Sequence, residues 1–140
     1  MSHTLWLELS GGAANAGAER DNSIMLRLGG ELDAMASRLG VTPLSAFHDH
    51  SAIAREYASE LGDLEEAVLR PPEWHDPADG IRSLDAIIHE LRARPESLGF
   101  MPTASQRHWP DTLMRDLEYC RARLADAASR GSRFRLLVVP

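Results

Sequence analysis

Residues 74–95 constrain the fold more than any other stretch, because a helix start, a helical hydrophobic period and a helix stop agree there. Asp76 can accept a hydrogen bond from the first helical amides, and Pro77 suits the first helical position. Apolar residues then recur on one helical face, at Ile81, Leu84, Ile87, Ile88 and Leu91. Pro95 cannot continue a helix. The sequence therefore predicts a helix between Pro77 and Pro95 with one buried side.

Residues 21–39 predict a second helix, and polar side chains at its start can cap it, at Asp21, Asn22 or Ser23. Its apolar residues recur at the same period, at Ile24, Leu28, Leu32, Met35 and Leu39. Gly29 and Gly30 interrupt the segment, and each glycine costs about 1 kcal/mol relative to alanine. Two interpretations stay open: one helix that kinks at the glycines, or a strand followed by a helix.

Residues 51–70 predict a third helix with Ser51 as its cap, and Pro71 and Pro72 close it. Acidic side chains concentrate here, at Glu56, Glu60, Asp63, Glu65 and Glu66. A solvated outer face of the helix explains this pattern. A binding surface for a basic partner explains it as well, so these five residues are the candidate binding residues.

A fourth helix begins near Trp109, Pro110 and Asp111, and Gly131 ends it. Its apolar stripe steps by four and three residues, through Leu113, Leu117, Cys120, Leu124 and Ala127. A narrow seam of this kind packs alongside another helix. Cys120 lies on the seam, so it is interpreted as a small buried hydrophobe, with a nucleophilic thiol as the alternative.

The two ends of the chain predict strands. Leucines alternate with other side chains over residues 3–10, and residues 134–139 are apolar on both faces. The sequence thus predicts a single α+β domain over 1–140, with about four helices packed on a small sheet formed by the N- and C-terminal strands. Two strands make a marginal sheet. We therefore expect the sheet to continue into a second chain, or helices to cover both of its faces.

Composition excludes several classes of function. The 140 residues are 44% hydrophobic and 26% charged, as in ordinary globular domains, and the formal charge of -6 disfavours nucleic acid as a partner. All fifteen basic residues are Arg, which excludes a lysine Schiff base and a P-loop lysine. The spacing of Gly11, Gly12 and Gly17 matches neither the dinucleotide-binding glycine motif nor the P-loop, so no cofactor is expected. With a single cysteine and no long apolar run, we expect a cytoplasmic protein that contacts no membrane.

The best candidate for chemistry is His48, Asp49 and His50, which follow an irregular connector over residues 41–49. Alternate residues of an extended segment can place two imidazoles on one side. A divalent metal could bridge them if a third ligand came near, for which His75, Asp76 and His108 are the candidates. Exposed loop histidines are the alternative interpretation. A helix start explains Trp74 and Trp109, although tryptophans can also stack on a ligand.

At four groups of residues, the sequence resembles that of a small family of bacterial proteins with which we associate no established activity. The matching residues are Leu5, Trp6, Leu7 and Glu8; Pro43, Leu44, Ser45, Ala46 and Phe47; Trp74, Asp76, Pro77, Gly80 and Leu84; and Ala127, Gly131, Phe134, Leu136, Val138 and Val139. The resemblance covers both ends and the middle of the chain. The resemblance implies a shared fold, and it assigns no catalytic residue to this chain.

Three hypotheses of function follow. The first is a protein-binding module, immunity-like or regulatory, which docks through its acidic helix or through the open edge of its sheet. The second is a homo-oligomer joined through the terminal strands. The third is a metal-dependent hydrolase that uses His48, Asp49 and His50. We rank the binding module first and the enzyme last, because the sequence contains no recognised catalytic motif.

Overall fold

The structure, a computed structural model, describes residues 3–11, 20–55 and 73–140. Its regular elements are β1 (Thr4–Leu9), α1 (Ser23–Arg27), α2 (Gly29–Leu39), β2 (His48–Asp49), α3 (Pro77–Ala93), α4 (Trp109–Ser129) and β3 (Phe134–Val139). Short 3-10 turns lie at Leu44–Phe47, Pro95–Leu98 and Ala104–Gln106. The predicted α+β class is confirmed, because helices pack on a small mixed sheet.

The sheet joins the two ends of the chain, as the sequence predicts. Strand β3 is central: it pairs antiparallel with β1, from Thr4↔Val139 to Leu9↔Phe134, and parallel with β2, where His48↔Leu136 and Asp49↔Leu137 are partners. The third strand was not predicted, since the connector over residues 41–49 was expected to be irregular. Two residues are too few to show an alternating pattern, so strand β2 is set by its partner β3.

Helix α3 forms as predicted. The Asp76 carboxylate accepts a hydrogen bond from the Ala78 amide at 2.9 Å, Pro77 is the first helical residue, and the helix ends at Ala93, before Pro95. Within the predicted stripe Ile81 is partly buried and the other four residues are buried, at Leu84, Ile87, Ile88 and Leu91. Helix α3 therefore turns one side to the core, with its N-terminal amides satisfied by its own cap.

Helix α4 also forms as predicted, and its whole stripe is buried, at Leu113, Leu117, Cys120, Leu124 and Ala127. It packs side by side with α3, and the exposed margins of the two helices are joined by ion pairs from Arg92 to Glu118 at 2.6 Å and from Arg121 to Asp85 at 2.9 Å. Gly131 follows the helix with a φ of +69°. This left-handed conformation, which favours glycine, ends the helix.

The segment predicted at 21–39 forms two helices, which agrees with a break at the glycines and not with an initial strand. Leu28 separates α1 from α2, and Gly29 opens α2. Asp21 serves the start of α1 by accepting a hydrogen bond from the Ser23 amide at 2.8 Å. Two consecutive glycines weaken a continuous helix, and the regular helix is interrupted directly before them, at Leu28.

Residues 51–55 are helical, where the third helix was predicted to begin. Ser51 was expected to cap this helix. In the structure Asp49 takes this role instead, because its carboxylate accepts a hydrogen bond from the Ser51 amide at 2.7 Å. The remainder of the predicted helix, residues 56–70, lies outside the described residues.

The edge of β1 is occupied at one point. The backbone amide of Ser10 donates to the Arg133 carbonyl, and in an antiparallel pair only every second residue forms hydrogen bonds with the partner strand. Leu5 is one of the other residues, so its backbone N–H and C=O groups face away from β3. The Leu5 carbonyl accepts hydrogen bonds from the Asn22 amide at 3.0 Å and from the Asn22 side chain at 3.3 Å. The fully buried Asn22 therefore takes a position that an added strand would need.

None of the helices in the described residues is both long enough and apolar enough to cross a membrane.

Gly80 marks the place where α3 comes closest to its neighbours. A Cβ atom built on Gly80 would lie 2.6 Å from Leu124 Cδ1 of α4 and 2.6 Å from Phe134 Cζ of β3. Real Cβ contacts are essentially never this short. The absence of a side chain at Gly80 therefore lets α3 pack against α4 and the sheet at once.

We expect Gly80→Ala to lower the free energy of unfolding by about 1–3 kcal/mol, because the added methyl overpacks the core and outweighs the gain in helix propensity. Urea unfolding followed by circular dichroism measures the change. The matched control is Gly30→Ala, since nothing lies within 4 Å of a Cβ at that helical position. Gly30→Ala should raise the stability by up to about 1 kcal/mol. A stabilising Gly80→Ala would contradict the close packing.

Candidate functional site

The two faces of the sheet differ in chemistry. Alternate residues point to opposite sides of a strand. One side is buried against the helices and consists of Leu5, Leu7, Leu9, Phe134, Leu136 and Val138. The other side, here called the outer face, is partly exposed and consists of Thr4, Trp6, Glu8, Asp49, Arg135, Leu137 and Val139. The outer face thus combines polar and apolar side chains.

Arg135 links all three strands through its guanidinium. It donates to Asp49 Oδ2 of β2 at 2.6 Å and to both carboxylate oxygens of Glu8 on β1, at 3.1 and 3.2 Å. The three side chains are 13%, 11% and 29% exposed, so water competes weakly for these hydrogen bonds. Arg135 therefore fixes the relative positions of the strands and neutralises one of the two carboxylates.

Trp74 completes what we call the Arg135 cluster, formed by Arg135, Glu8, Asp49 and Trp74. The Arg135 Cζ atom lies 4.8 Å from the centre of the Trp74 ring, at the distance of a cation–π contact. The neighbouring residue positions the ring: His75 exchanges two backbone hydrogen bonds with Phe134, at 2.8 and 3.0 Å. The segment before α3 thus extends the sheet and brings the tryptophan over the guanidinium.

The environment of Asp49 favours its ionised form. Burial alone would raise the pKa of its carboxyl group. Hydrogen bonds from Ser51 and the charge and hydrogen bond of Arg135 outweigh burial and hold the pKa below its usual value. Asp49 is therefore a carboxylate at neutral pH, with one oxygen bound by Ser51 and the other by Arg135.

The apolar part of the outer face is separate from the core. Trp6 lies opposite Leu137 in the β1–β3 ladder, and Thr4 lies opposite Val139. All four side chains are half-buried, and none belongs to the buried core cluster or to the hydrophobic residues packed against it. In the part of the chain that the structure describes, the outer face thus carries an aromatic and branched surface beside a fixed charge cluster.

His48 and His50 lie on the other side of the sheet from Asp49, as alternation along β2 requires. Their imidazole rings are 5.9 Å apart between centroids. Burial lowers the pKa of His48, and the neighbouring His50 lowers it further, while the Asp33 carboxylate opposes both effects. His48 is therefore neutral at physiological pH, the form in which one ring nitrogen carries no proton.

The predicted metal site is brought together in part. His48 and His50 are neighbours, but Asp49 faces the opposite side and is bound to Arg135. His75, a candidate third ligand, packs its ring against Phe47 and Phe134 at centroid distances of 5.2 and 6.0 Å. Within residues 3–11, 20–55 and 73–140, no group of three His, Cys, Asp or Glu side chains could hold a metal ion. Metal binding by the three predicted residues stays a prediction.

The candidate binding residues of the acidic segment, Glu56, Glu60, Asp63, Glu65 and Glu66, lie outside the described residues. Their proposed role as a contact surface for a basic partner stays a prediction.

Sequence reasoning missed the Arg135 cluster, although one signal pointed to it. Arg135 is the single charged residue in an otherwise apolar run over 134–139. An antiparallel pairing of the two chain ends places an acidic residue opposite it, at Glu8. Cross-strand pairs of opposite charge stabilise sheets, so this pairing could have been proposed from the sequence alone. Asp49 and Trp74 could not, because their approach depends on β2 and on the extended segment before α3.

A second charged group is buried between α4 and the segment before α1. Asp116 is 2% exposed, and its Oδ1 accepts a hydrogen bond from Arg20 at 3.2 Å, while its Oδ2 is buried without a hydrogen-bond partner. Burial raises the pKa of Asp116, and Arg20 compensates in part. The guanidinium of Arg20 also lies 4.5 Å from the ring centre of Tyr119. No sequence pattern indicated this buried carboxyl, since Asp116 lies beside the apolar stripe and is not part of it.

Cys120 is buried next to Asp116, and its thiol lies 3.7 Å from the sulfur of Met25. Burial raises the pKa of the thiol to about 12, and the Asp116 charge acts in the same direction. Both effects oppose formation of the thiolate, so the interpretation of Cys120 as a core hydrophobe is confirmed by its burial.

Trp109 stacks on Phe100 at 5.5 Å and packs against the core.

Two clefts lie at the ends of the helices. One has a volume of about 410 Å³ and is lined by Arg38, Arg94, Glu90 and Glu96 among others. Its arginines are engaged, because Arg38 donates to the Ser97 carbonyl at 2.7 Å and Arg94 to Glu90 at 3.1 Å. The other, of about 240 Å³, is mainly apolar and lies between Leu91, Phe100 and Met114. Among the described residues, the arginines of the first cleft are thus committed to partners within the protein, and the second cleft offers few polar groups that could orient a small ligand.

We expect Arg135→Met to lower the free energy of unfolding by about 2–4 kcal/mol, because it leaves two half-buried carboxylates facing each other without a cation. Asp49 has a depressed pKa, so its stabilisation is present above about pH 4 and is lost as the pH falls through its folded pKa. The acid-induced loss of stability should therefore be smaller in Arg135→Met. Urea unfolding between neutral and acidic pH measures both effects.

The matched control for Arg135→Met is Arg82→Met, which removes an exposed ion pair with Asp79. That change should cost no more than about 0.5–1 kcal/mol. Equal effects of the two substitutions would show that the Arg135 cluster contributes no more than a surface pair.

We expect Asp116→Asn to be more stable than the wild type at neutral pH, because the folded state disfavours the ionised carboxyl. The raised pKa means that stability from this group is present below the unfolded pKa, near 4, and is lost as the pH rises through the folded pKa. The advantage of Asp116→Asn should therefore shrink as the pH approaches 4. Thermal unfolding across this range, with Glu73→Gln as the control for an exposed carboxyl outside the helices, measures the difference. A less stable Asp116→Asn at pH 7 would show that the Arg20 ion pair dominates.

Comparison of the chain with protein-family models, with curated proteins and with solved structures finds no match. The resemblance to a small bacterial family therefore stays a prediction based on the residues quoted for it.

Proposed function

We propose that this chain is a protein-binding module that docks a partner protein on the outer face of its sheet. The observation that carries the proposal is the apolar surface of Trp6, Leu137 and Val139, which is partly exposed and separate from the core. It lies beside the Arg135 cluster, so apolar and charged groups meet on one face of the sheet. Immunity-like and regulatory proteins are both of this functional class.

The residue types of this surface suit recognition of a protein. Tryptophan and arginine are the residues most enriched among those that dominate binding energy at interfaces. Arg135 is already held by Glu8, Asp49 and Trp74, so a partner would bind it without immobilising a free side chain. Preorganisation of this kind reduces the entropic cost of association.

The charge of the chain indicates the class of partner. Its formal charge is -6, and the Arg135 cluster holds two carboxylates for one guanidinium, with Glu8 29% exposed. A partner with a basic rim around an apolar centre would complement this surface and would be steered towards it. The occupied Leu5 carbonyl favours docking on the face over extension of the sheet at the edge of β1.

The second candidate is a metal-dependent hydrolase that uses the segment of His48, Asp49 and His50. The approach of the two imidazoles to 5.9 Å supports it. It ranks below the binding module because each oxygen of the Asp49 carboxylate already accepts a hydrogen bond, from Ser51 or from Arg135, which makes Asp49 a weaker base and a weaker ligand.

A crosslinking experiment tests the binding module. A photo-crosslinking amino acid replaces Trp6 in cells that produce the protein, the captured partner is identified and purified, and its affinity is measured by calorimetry. Trp6→Ala and Leu137→Ser should each weaken binding roughly tenfold or more, because each removes a central apolar contact. Arg135→Gln should weaken it as well.

The matched control is Met101→Ala, which alters a side chain that is 88% exposed and distant in sequence from the outer face. It should leave the affinity unchanged, and unchanged thermal unfolding of Trp6→Ala would exclude a folding defect. Equal affinity of Trp6→Ala and wild type would contradict the proposal. Light scattering that finds a particle of about twice the 15.5 kDa chain would also contradict it, because a second copy would then be the occupant.

A further inference from the structure

We propose that His48 and His50 form a binding site for a divalent transition-metal ion of the zinc, nickel and copper class. The site consists of two imidazoles on one side of a strand end, and it does not include Asp49. It is independent of the outer face, because the two histidines lie on the opposite side of β2 from the Arg135 cluster.

The distance between the rings fits a shared ion. Zinc binds imidazole nitrogen at about 2.0–2.1 Å, which places the centroids of two imidazoles on one ion roughly 5–6 Å apart. The observed separation is 5.9 Å, with the ring planes inclined at 72°. Strand geometry produces this arrangement, since residues i and i+2 of an extended chain point to the same side.

The surroundings of the pair allow an ion to reach it. His50 is exposed, so an ion can enter from solvent. His48 is half-buried at the end of β2, which holds its ring beside that of His50. The Asp33 carboxylate acts on His48 from α2 and adds a negative charge near the site, although its Oδ1 accepts a hydrogen bond from the Ser45 amide at 3.2 Å.

The donor set determines the kind of site. In the described ranges no third His, Cys, Asp or Glu joins the pair, so water would fill the remaining positions on the ion. Structural zinc sites are closed by four protein ligands, whereas sites with open positions exchange water for an outside ligand. This pair is therefore an open site, which binds an ion more weakly and leaves room for a carboxylate or an imidazole from another molecule.

Zinc titration of the full chain, prepared without a polyhistidine tag, tests the proposal by calorimetry. The wild type should bind one Zn²⁺ ion at this site, and His50→Ala should weaken that binding by roughly tenfold or more, because a single imidazole remains. His48→Ala should have the same effect. Mg²⁺ should not bind, since it prefers oxygen ligands.

The controls are His89→Ala, which removes an exposed histidine on α3, and His3→Ala, which removes the histidine beside β1. Both should bind Zn²⁺ as the wild type does. His50 is exposed, so His50→Ala decides the question if His48→Ala unfolds the chain. Nitrogen hyperfine splitting in the electron paramagnetic resonance spectrum of the Cu²⁺ form should indicate two imidazoles. The proposal is overturned if Zn²⁺ does not bind, or if His50→Ala binds it as tightly as the wild type.

Discussion

The close packing at Gly80 is the contact on which the other elements depend. Leu124 of α4 and Phe134 of β3 both reach the backbone of α3 at this point, closer than any side chain on α3 would permit. Phe134 begins the central strand, so the position of α3 determines where β3 lies beneath the helices. Strand β3 carries β1 on one side and β2 on the other. A shift of α3 would therefore move the whole sheet relative to the helical layer.

Short strands need support beyond backbone hydrogen bonds, and β2 receives it from side chains. Only two residues pair with β3, which contributes little by itself. Asp49 adds two further attachments, to Arg135 across the sheet and to the Ser51 amide at the start of the following helix. Phe47 packs its ring 5.0 Å from that of Phe134 just before the strand. The connector is thus fixed from both sides, which explains how an irregular stretch enters the sheet.

The parts of this fold that could be predicted are those with local signals. Helices α3 and α4 carry their own period, caps and stops, and the terminal strands carry alternation or an apolar run. Strand β2 carries no such signal, because its pairing depends on a partner almost 90 residues away. The burial of Asp116 was not predicted for the same reason. Its partner Arg20 lies 96 residues away in sequence, and Asp116 lies on the polar part of the helix pattern. For the candidate site, the adjacency of His48 and His50 followed from the strand period, whereas the attachment of Asp49 to Arg135 did not.

Alternation along β2 divides one run of three titratable residues between two environments. Asp49 faces a guanidinium, which stabilises its charge, and His48 faces partly buried surroundings with another imidazole, which disfavour its charge. The pKa of each group is lowered, yet the consequences are opposite, because a lowered pKa ionises a carboxyl and neutralises an imidazole. A fixed negative charge that is already paired therefore lies on one side of the strand, and the two imidazoles lie on the other. The two surfaces that we propose as binding sites thus share no side chain, because alternation along one short strand separates them.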